Sequence, residues 1–300
     1  MFVVKGGRIV WRYDDPEGRG EISDAILLTD GHILMAHQYG IREIVPDFES
    51  GEGWSVVWKK DAPEGREIHS LQPIGTDKIL YVQCGDPLEA IVMEIPSLRE
   101  IKRVRLPFNN GGSHGQMRNI RLTKAGTMLM GSFEYNAVIE FDSKGRELRR
   151  WDCPGAWGVE ELENGNILAA SNRGKTFEFT REGEIAWEFD WAKQGPPSYV
   201  KVDGKFRPNF SGQKALRLKN GDTIITNWLN MWGRETSDPL APAIQAIETT
   251  PDGEVVWKLS AWEDPIDLGP STTIQLLDEP VDRSKLFFGD PNEDSDLFFD

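Results

Sequence analysis

The sequence predicts an all-β protein, a six-bladed β-propeller with four-stranded blades, from two recurring hairpin patterns and the interval at which they return. The first pattern is a strand, a tight turn and a tryptophan: "VVKGGRIVWRY" (Val3 to Tyr13), "FTREGEIAWEF" (Phe179 to Phe189) and "TTPDGEVVWKL" (Thr249 to Leu259). In each, the tryptophan follows a turn glycine by four residues: Gly7 and Trp11, Gly183 and Trp187, Gly253 and Trp257. "FDSKGRELRRW" (Phe141 to Trp151) and "GEGWSVVW" (Gly51 to Trp58) are looser copies. Sequence repeats of this kind define the architecture before any single residue does.

The second pattern precedes the tryptophan hairpins: a short strand, a turn, then an apolar run. Its copies are "AILLTDGHILMA" (Ala25 to Ala36), "LQPIGTDKILYV" (Leu71 to Val82), "IRLTKAGTMLMG" (Ile120 to Gly131), "VEELENGNILAA" (Val159 to Ala170) and "ALRLKNGDTIIT" (Ala215 to Thr226). Asn-Gly and Asp-Gly between strand-like runs signal a two-residue hairpin turn whose two central residues both take positive φ. The apolar second strands suit burial on both faces. One repeat is therefore two hairpins, strands A to D. The second strands start near His32, Lys78, Thr127, Asn166 and Asp222, at intervals of 46, 49, 39 and 56 residues, which is the period of a propeller blade.

Five A–B pairs with their C–D hairpins leave two remnants. "STTIQLLDEP" (Ser271 to Pro280) reads as a sixth A strand and "KLFFG" (Lys285 to Gly289) as its B strand, while "VVKGGRIVWRY" supplies C and D. Pairing the chain ends in one blade would close the ring and remove an open sheet edge. The expected organisation is thus one domain over residues 1–289 and an acidic, disordered tail over 290–300.

A net charge of −15, with no run of lysines and arginines, argues against nucleic acid and anionic lipid as partners. No apolar stretch is long enough to span a membrane, and a monomer is expected. Cys84 and Cys153 fall in different repeats and read as unpaired structural thiols. Phosphate loops, nucleophile elbows and paired-cysteine zinc spacings are absent, so no metal site is expected.

The hairpin "AIETTPDGEVVW" (Ala246 to Trp257) resembles the repeat of quinoprotein-type propellers, in which the tryptophan docks one blade on the next. With "HGQMRNIRLTKAGTMLMG" (His114 to Gly131), "LENGNILAASNRGK" (Leu162 to Lys175) and "AWEDPIDLGPSTTIQLLDEP" (Ala261 to Pro280), the whole arrangement is similar to six-bladed arylsulfotransferase-like and quinoprotein-like propellers of bacteria, many of them secreted. The resemblance implies a periplasmic or secreted protein whose leader has been removed. It also implies a central funnel, in which arylsulfotransferases use a histidine as the sulfate-accepting nucleophile, although that constellation does not match this chain position by position. Room for six blades rather than eight, and no adjacent cysteine pair, set the chain apart from quinoprotein dehydrogenases. A quinone is therefore not expected, and no other cofactor is.

In a propeller the D–A and B–C loops open on one face, where distant polar residues converge. His69 in "EIHSLQP" and His114 in "SHGQMRNIRL" fall there and are the catalytic candidates, because histidine is suited to proton transfer and nucleophilic roles near neutral pH. His37 reads as a structural residue and His32 as a surface turn residue. Gln116 and Arg118 should point the same way by strand alternation. With Asn172 and Arg173 of "SNRGK" they are the ligand-binding candidates, the arginines as clamps for an anion. Long insertions at residues 191–213 and 227–242 add Tyr199, Phe206, Phe210, Trp228 and Trp232 as flat rings for a sugar or aryl group. The leading expectation is a binding module for a small anionic or sugar-like ligand. The alternatives are an arylsulfotransferase-like enzyme and a protein-interaction scaffold.

Overall fold

A computed structural model describes residues 1–15, 20–108, 112–228, 243–262 and 267–288. Within them the repeats form five four-stranded antiparallel sheets, each with its strands paired in chain order. Blade 1 comprises Ile22–Leu27, Ile33–His37, Gly40–Asp47 and Gly53–Asp61; blade 2 comprises Glu67–Ile74, Lys78–Cys84, Glu89–Glu94 and Glu100–Arg105. Blade 3 comprises Asn119–Leu122, Met128–Ser132, Ala137–Phe141 and Glu147–Asp152. These three blades and the segment from Gln275 onward belong to one compact unit. The second unit, Cys153–Ile274, holds blade 4 (Ala156–Glu161, Ile167–Ser171, Lys175–Phe179, Ile185–Asp190) and blade 5 (Gly212–Arg217, Thr223–Asn227, Ala246–Thr249, Val255–Leu259).

The apolar B strands are buried along their length, as in Ile33–His37 and Met128–Ser132, whereas the D strands form the exposed edge. Four of the five A–B turns repeat one geometry, the blade 2 turn at Gly75 being the exception. Gly31, Gly126, Gly165 and Gly221 all have φ between 81° and 94°, and each donates its N–H to the residue three before it. The expected two-residue turn is corrected here: Asp30, Asn164 and Asn220 do not share the positive φ. Instead their side chains accept the N–H of the residue two ahead, from His32 at 3.1 Å, Asn166 at 3.0 Å and Asp222 at 3.0 Å. The Asp or Asn before the glycine serves this Asx turn, which is the other physical reason for its presence.

Among the described residues the blade count is five and not the expected six. After Leu259 the described chain pairs at a single bridge residue, Val281 with Leu28, and forms a 3-10 turn at Arg283–Lys285, while Leu286, Phe287 and Phe288 of the expected B strand are in no strand. Pro280 has no N–H to give a ladder, and Asp282 turns its carboxylate onto the N–H of Ser284. Gln275 stands in for a strand by hydrogen-bonding Leu27 through its side chain, accepting from the N–H at 2.8 Å and donating to the carbonyl at 3.1 Å. The opening hairpin, Phe2–Lys5 with Arg8–Arg12, is a two-stranded sheet of its own. Residues 290–300 lie outside the described residues.

That hairpin nonetheless docks like a C–D pair. Trp11 is fully buried and donates its indole N–H to Gly53 O at 2.9 Å, at the C–D turn of blade 1. Trp187 of blade 4 does the same to Pro251 O at 2.8 Å, at the C–D turn of blade 5. Cys84 and Cys153 are buried unpaired thiols, and burial pushes both up to about 12. No helix among the described residues is long and apolar enough to cross a membrane.

The A strands of blades 1 to 3 are stitched by a buried polar network. The Asp24 carboxylate, 1% exposed, accepts from Ser70 Oγ at 3.1 Å and pairs with the Arg121 guanidinium at 3.0 Å. Ser70 Oγ in turn accepts from Ile120 N at 3.2 Å and Arg121 at 3.0 Å. Removing one partner of such a pair leaves a buried charge uncompensated. Asp24→Ala is expected to lower unfolding stability by about 3–5 kcal/mol, read by urea denaturation; a loss below about 1 kcal/mol, the level of an exposed pair, refutes the network as a stitch.

Candidate functional site

The first three A strands begin at the same end of their blades as the B–C turns, and the polar residues gathered there come from all three. Blade 2 contributes most. Glu67 opens its A strand, and the pairing register breaks between Ile68 and Leu71, so His69 and Ser70 occupy a bulge. A bulge re-aims a side chain without ending the strand: Ser70 turns into the stitch, and His69 turns toward Glu67 and the loop carrying His114. That loop contains a 3-10 turn, Ser113–Gly115, just before the A strand of blade 3.

Glu67 is the centre of the cluster. Its Oε2 accepts from His69 Nε2 at 2.8 Å and from His114 Nδ1 at 2.9 Å, while Oε1 accepts from Gln38 Nε2 at 2.9 Å. Burial alone would push this carboxyl up, but the hydrogen bonds from His114, His69 and Gln38 outweigh it and hold the group well below the usual carboxylate range. It is therefore an ionised acceptor, which fixes both imidazoles as donors toward it.

His69 is fully buried. With its proton on Nε2, the Nδ1 lone pair accepts from the Arg118 guanidinium at 2.9 Å, and the Ser23 hydroxyl lies 3.0 Å away. Burial lowers its pKa to about 4, and the neighbouring Arg118 adds to this against the opposing pull of Glu67 and Glu21. His69 is neutral at physiological pH. His114 differs: its side chain is 56% exposed, its ring lies 5.5 Å from that of His69 at 74°, and its Nε2 has no hydrogen-bond partner among the described residues. The pair thus presents one fixed imidazole and one accessible one, both oriented by a single carboxylate.

The other sequence-predicted residues are placed as follows. Arg118 is buried against Glu21 and His69. Gln116 hydrogen-bonds the backbone of Gly85, donating to its carbonyl at 2.9 Å and accepting from its N–H at 2.7 Å. It precedes the strand, which starts only at Asn119, so strand alternation does not relate it to Arg118. His37 contacts Arg42 at 2.6 Å, and His32 contacts Glu43 at 2.6 Å at the other end of blade 1. In the second unit, Asn172 and exposed Arg173 lie in the B–C turn of blade 4, with Asn172 N donating to Gly155 O at 2.9 Å. Trp228 packs 6.1 Å from Trp157, and Phe210 lies 6.0 Å from Trp191. Tyr199 and Phe206 sit on the hairpin Tyr199–Val202 with Lys205–Pro208, and Trp232 lies outside the described residues.

Sequence reasoning missed Glu21, Ser23, Gln38 and Glu67. Glu67 had a signal, since Glu-x-His within a strand puts both side chains on one face. Glu21 and Gln38 had none, because their roles arise only when blade 1 packs on blade 2.

The depressed pKa of His69 gives a stability consequence. Between pH 6.5, its ordinary value, and about 4 in the fold, the unfolded chain binds more protons than the folded one, so stability falls as pH drops through that window. In chelator-treated protein, His69→Gln is expected to flatten this part of the stability–pH curve. An unchanged slope in chemical denaturation across the window contradicts the assignment.

No protein-family model matches the chain, and no curated protein matches it. Solved structures do. A protein of unknown function from Bacteroides caccae is 22% identical, with a TM-score of 0.69 over 87% of this chain and 89% of its own. A streptogramin B lyase is 15% identical, with a TM-score of 0.52 over 87% and 75%. A virginiamycin B lyase from Staphylococcus aureus is 14% identical, with a TM-score of 0.50 over 80% and 70%. At these identities the likeness is one of fold, and the fold is the all-β propeller.

Proposed function

We propose that the chain is a ligand-binding β-propeller protein whose site is the Glu67–His69–His114 cluster, and that it accepts a small polyhydroxylated, sugar-like ligand. The observation that carries this is the exposed His114 imidazole, oriented by Glu67 and offering Nε2 outward beside buried polar groups. Pockets that specify a ligand place a few polar atoms in this way. Charge favours a neutral ligand over an anionic one. Glu21 and Glu67 outnumber Arg118, whose guanidinium is already engaged by Glu21 and His69, so an anion entering here meets net negative charge.

A second reading is an enzyme, of the arylsulfotransferase-like kind or another in which His114 acts as base or nucleophile. It is favoured by one observation: a carboxylate bonded to Nδ1 leaves the lone pair on Nε2, the arrangement that activates an imidazole for proton abstraction. The fold is compatible, since two of the similar structures bear the names of lyases.

A thermal-shift screen with sugars, sulfated aryl compounds and small carboxylic acids separates these readings. A ligand at 100 times its Kd stabilises the folded state by about 2.7 kcal/mol. Sugars are expected to raise the unfolding temperature, and His114→Ala is expected to lose that shift while keeping the ligand-free value. A His114→Ala variant that responds as the wild type does, or a response to acids alone, refutes the proposal.

A further inference from the structure

We infer that Glu67, His69 and His114 form a binding site for one divalent transition-metal ion of the zinc and cobalt class, with its remaining positions open to solvent. The inference builds on the reading of this cluster as the ligand site, the metal being what would present an incoming hydroxyl.

The donor set points to the class of ion. Two imidazole nitrogens and one carboxylate oxygen suit borderline metals such as Zn2+ and Co2+, whereas Ca2+ and Mg2+ select all-oxygen surroundings. Two histidines and a glutamate with a vacant position are also a ligand set of catalytic zinc centres. The positions fit. One ring nitrogen of His69, one of His114 and a Glu67 oxygen lie within 4.8 Å of one another, and these residues form the one such His/Cys/Asp/Glu group among the described residues. A tetrahedral ion with bonds of about 2.0–2.1 Å holds its ligand atoms roughly 3.3–3.5 Å apart. The contacts of 2.8 and 2.9 Å to Glu67 therefore need to open by about half an ångström. His114, on a loop and largely exposed, has the freedom to supply that movement.

The surroundings support the same occupant. Gln38 Nε2 holds the second Glu67 oxygen at 2.9 Å, the kind of outer contact that orients a ligating carboxylate. Each imidazole keeps its one proton on binding, by changing tautomer. On His69 the proton moves to Nδ1, where Ser23 Oγ at 3.0 Å and Glu21 Oε1 at 3.7 Å can accept it. Arg118 then gives up its contact with Nδ1 and retains Glu21. On His114 the proton moves to the exposed Nε2. Two carboxylates against one guanidinium, in a chain of net charge −15, give a potential that attracts a cation.

The test uses metal alone. Protein freed of metal by chelator and dialysis is titrated with Zn2+ in a calorimeter, and with Co2+ in an absorption cell. The expected result is one equivalent bound, visible Co2+ bands, and a loss of affinity of about 10–100-fold or more in His114→Ala and Glu67→Gln. His32→Ala, which removes a histidine–glutamate contact elsewhere in blade 1, is expected to bind as the wild type does. Because His114 is exposed, its variant is expected to keep the metal-free unfolding temperature. As a readout free of substitution, Zn2+ must shift the imidazole NMR signals of both His69 and His114. No saturable binding, imidazole signals that do not move, or His114→Ala binding at wild-type affinity each overturns the inference. A sugar-induced stabilisation that persists in chelated protein indifferent to Zn2+ removes the metal and leaves the ligand site. Stoichiometric Zn2+ binding without any sugar response supports the metal and removes the sugar reading.

Discussion

A carboxylate withdrawn from water must be met by donors, and the way Asp24 is met organises the first three blades. Ser70 and Arg121 answer it from the A strands of blades 2 and 3. Strand neighbours follow. Ser23 adjoins Asp24, His69 adjoins Ser70, and Arg118 lies three residues before Arg121. Once the stitch is made, Ser23, His69 and Arg118 have little freedom to be anywhere but together, and their contacts at 2.9 and 3.0 Å are its consequence. Structural ion pairing thus works one layer behind the Glu67–His69–His114 cluster. This is the outer support that lets a cluster of polar side chains keep one arrangement.

Within the cluster the controlling fact is how lone pairs are shared. One oxygen of Glu67 receives two imidazole N–H groups, so neither histidine can be understood without the other. Burial makes His69 a fixed, neutral partner. Exposure makes His114 the variable one. The asymmetry comes from backbone placement: His69 is locked in a strand bulge, while His114 rides on a short 3-10 turn.

Much of the fold could be read from the sequence because it rests on local, repeated signals. Turn glycines, buried B strands and the docking of Trp187 follow from patterns that recur from blade to blade, the turn glycine in four of the five described blades. The sixth blade failed because "TIQLLDEP" resembles an A strand in composition, while the chain turns at Asp282 into a 3-10 turn, Arg283–Lys285, that takes up the start of the expected B strand. Composition cannot reveal that a glutamine side chain has replaced a strand. Of the proposed cluster, His69 and His114 could be picked out by residue type and by their positions at a strand start and in a loop. Glu21 and Gln38 could not, since nothing nearby in sequence distinguishes them from the many other polar surface residues. Strand alternation could not relate Gln116 to Arg118, because both precede Asn119, where the strand starts.

The Gln275 contact bears on solubility. Leu27 belongs to the edge strand of blade 1, and its N–H and carbonyl are both occupied by that one side chain, with Val281 adding a hydrogen bond to the same carbonyl at 2.9 Å. An uncovered edge of this kind is a template on which another chain can add a strand. The final segment therefore acts as a guard. Loss of the segment from Gln275 onward would expose a hydrogen-bonding edge flanked by Ile26 and Leu28. Self-association by strand addition would then begin at that edge.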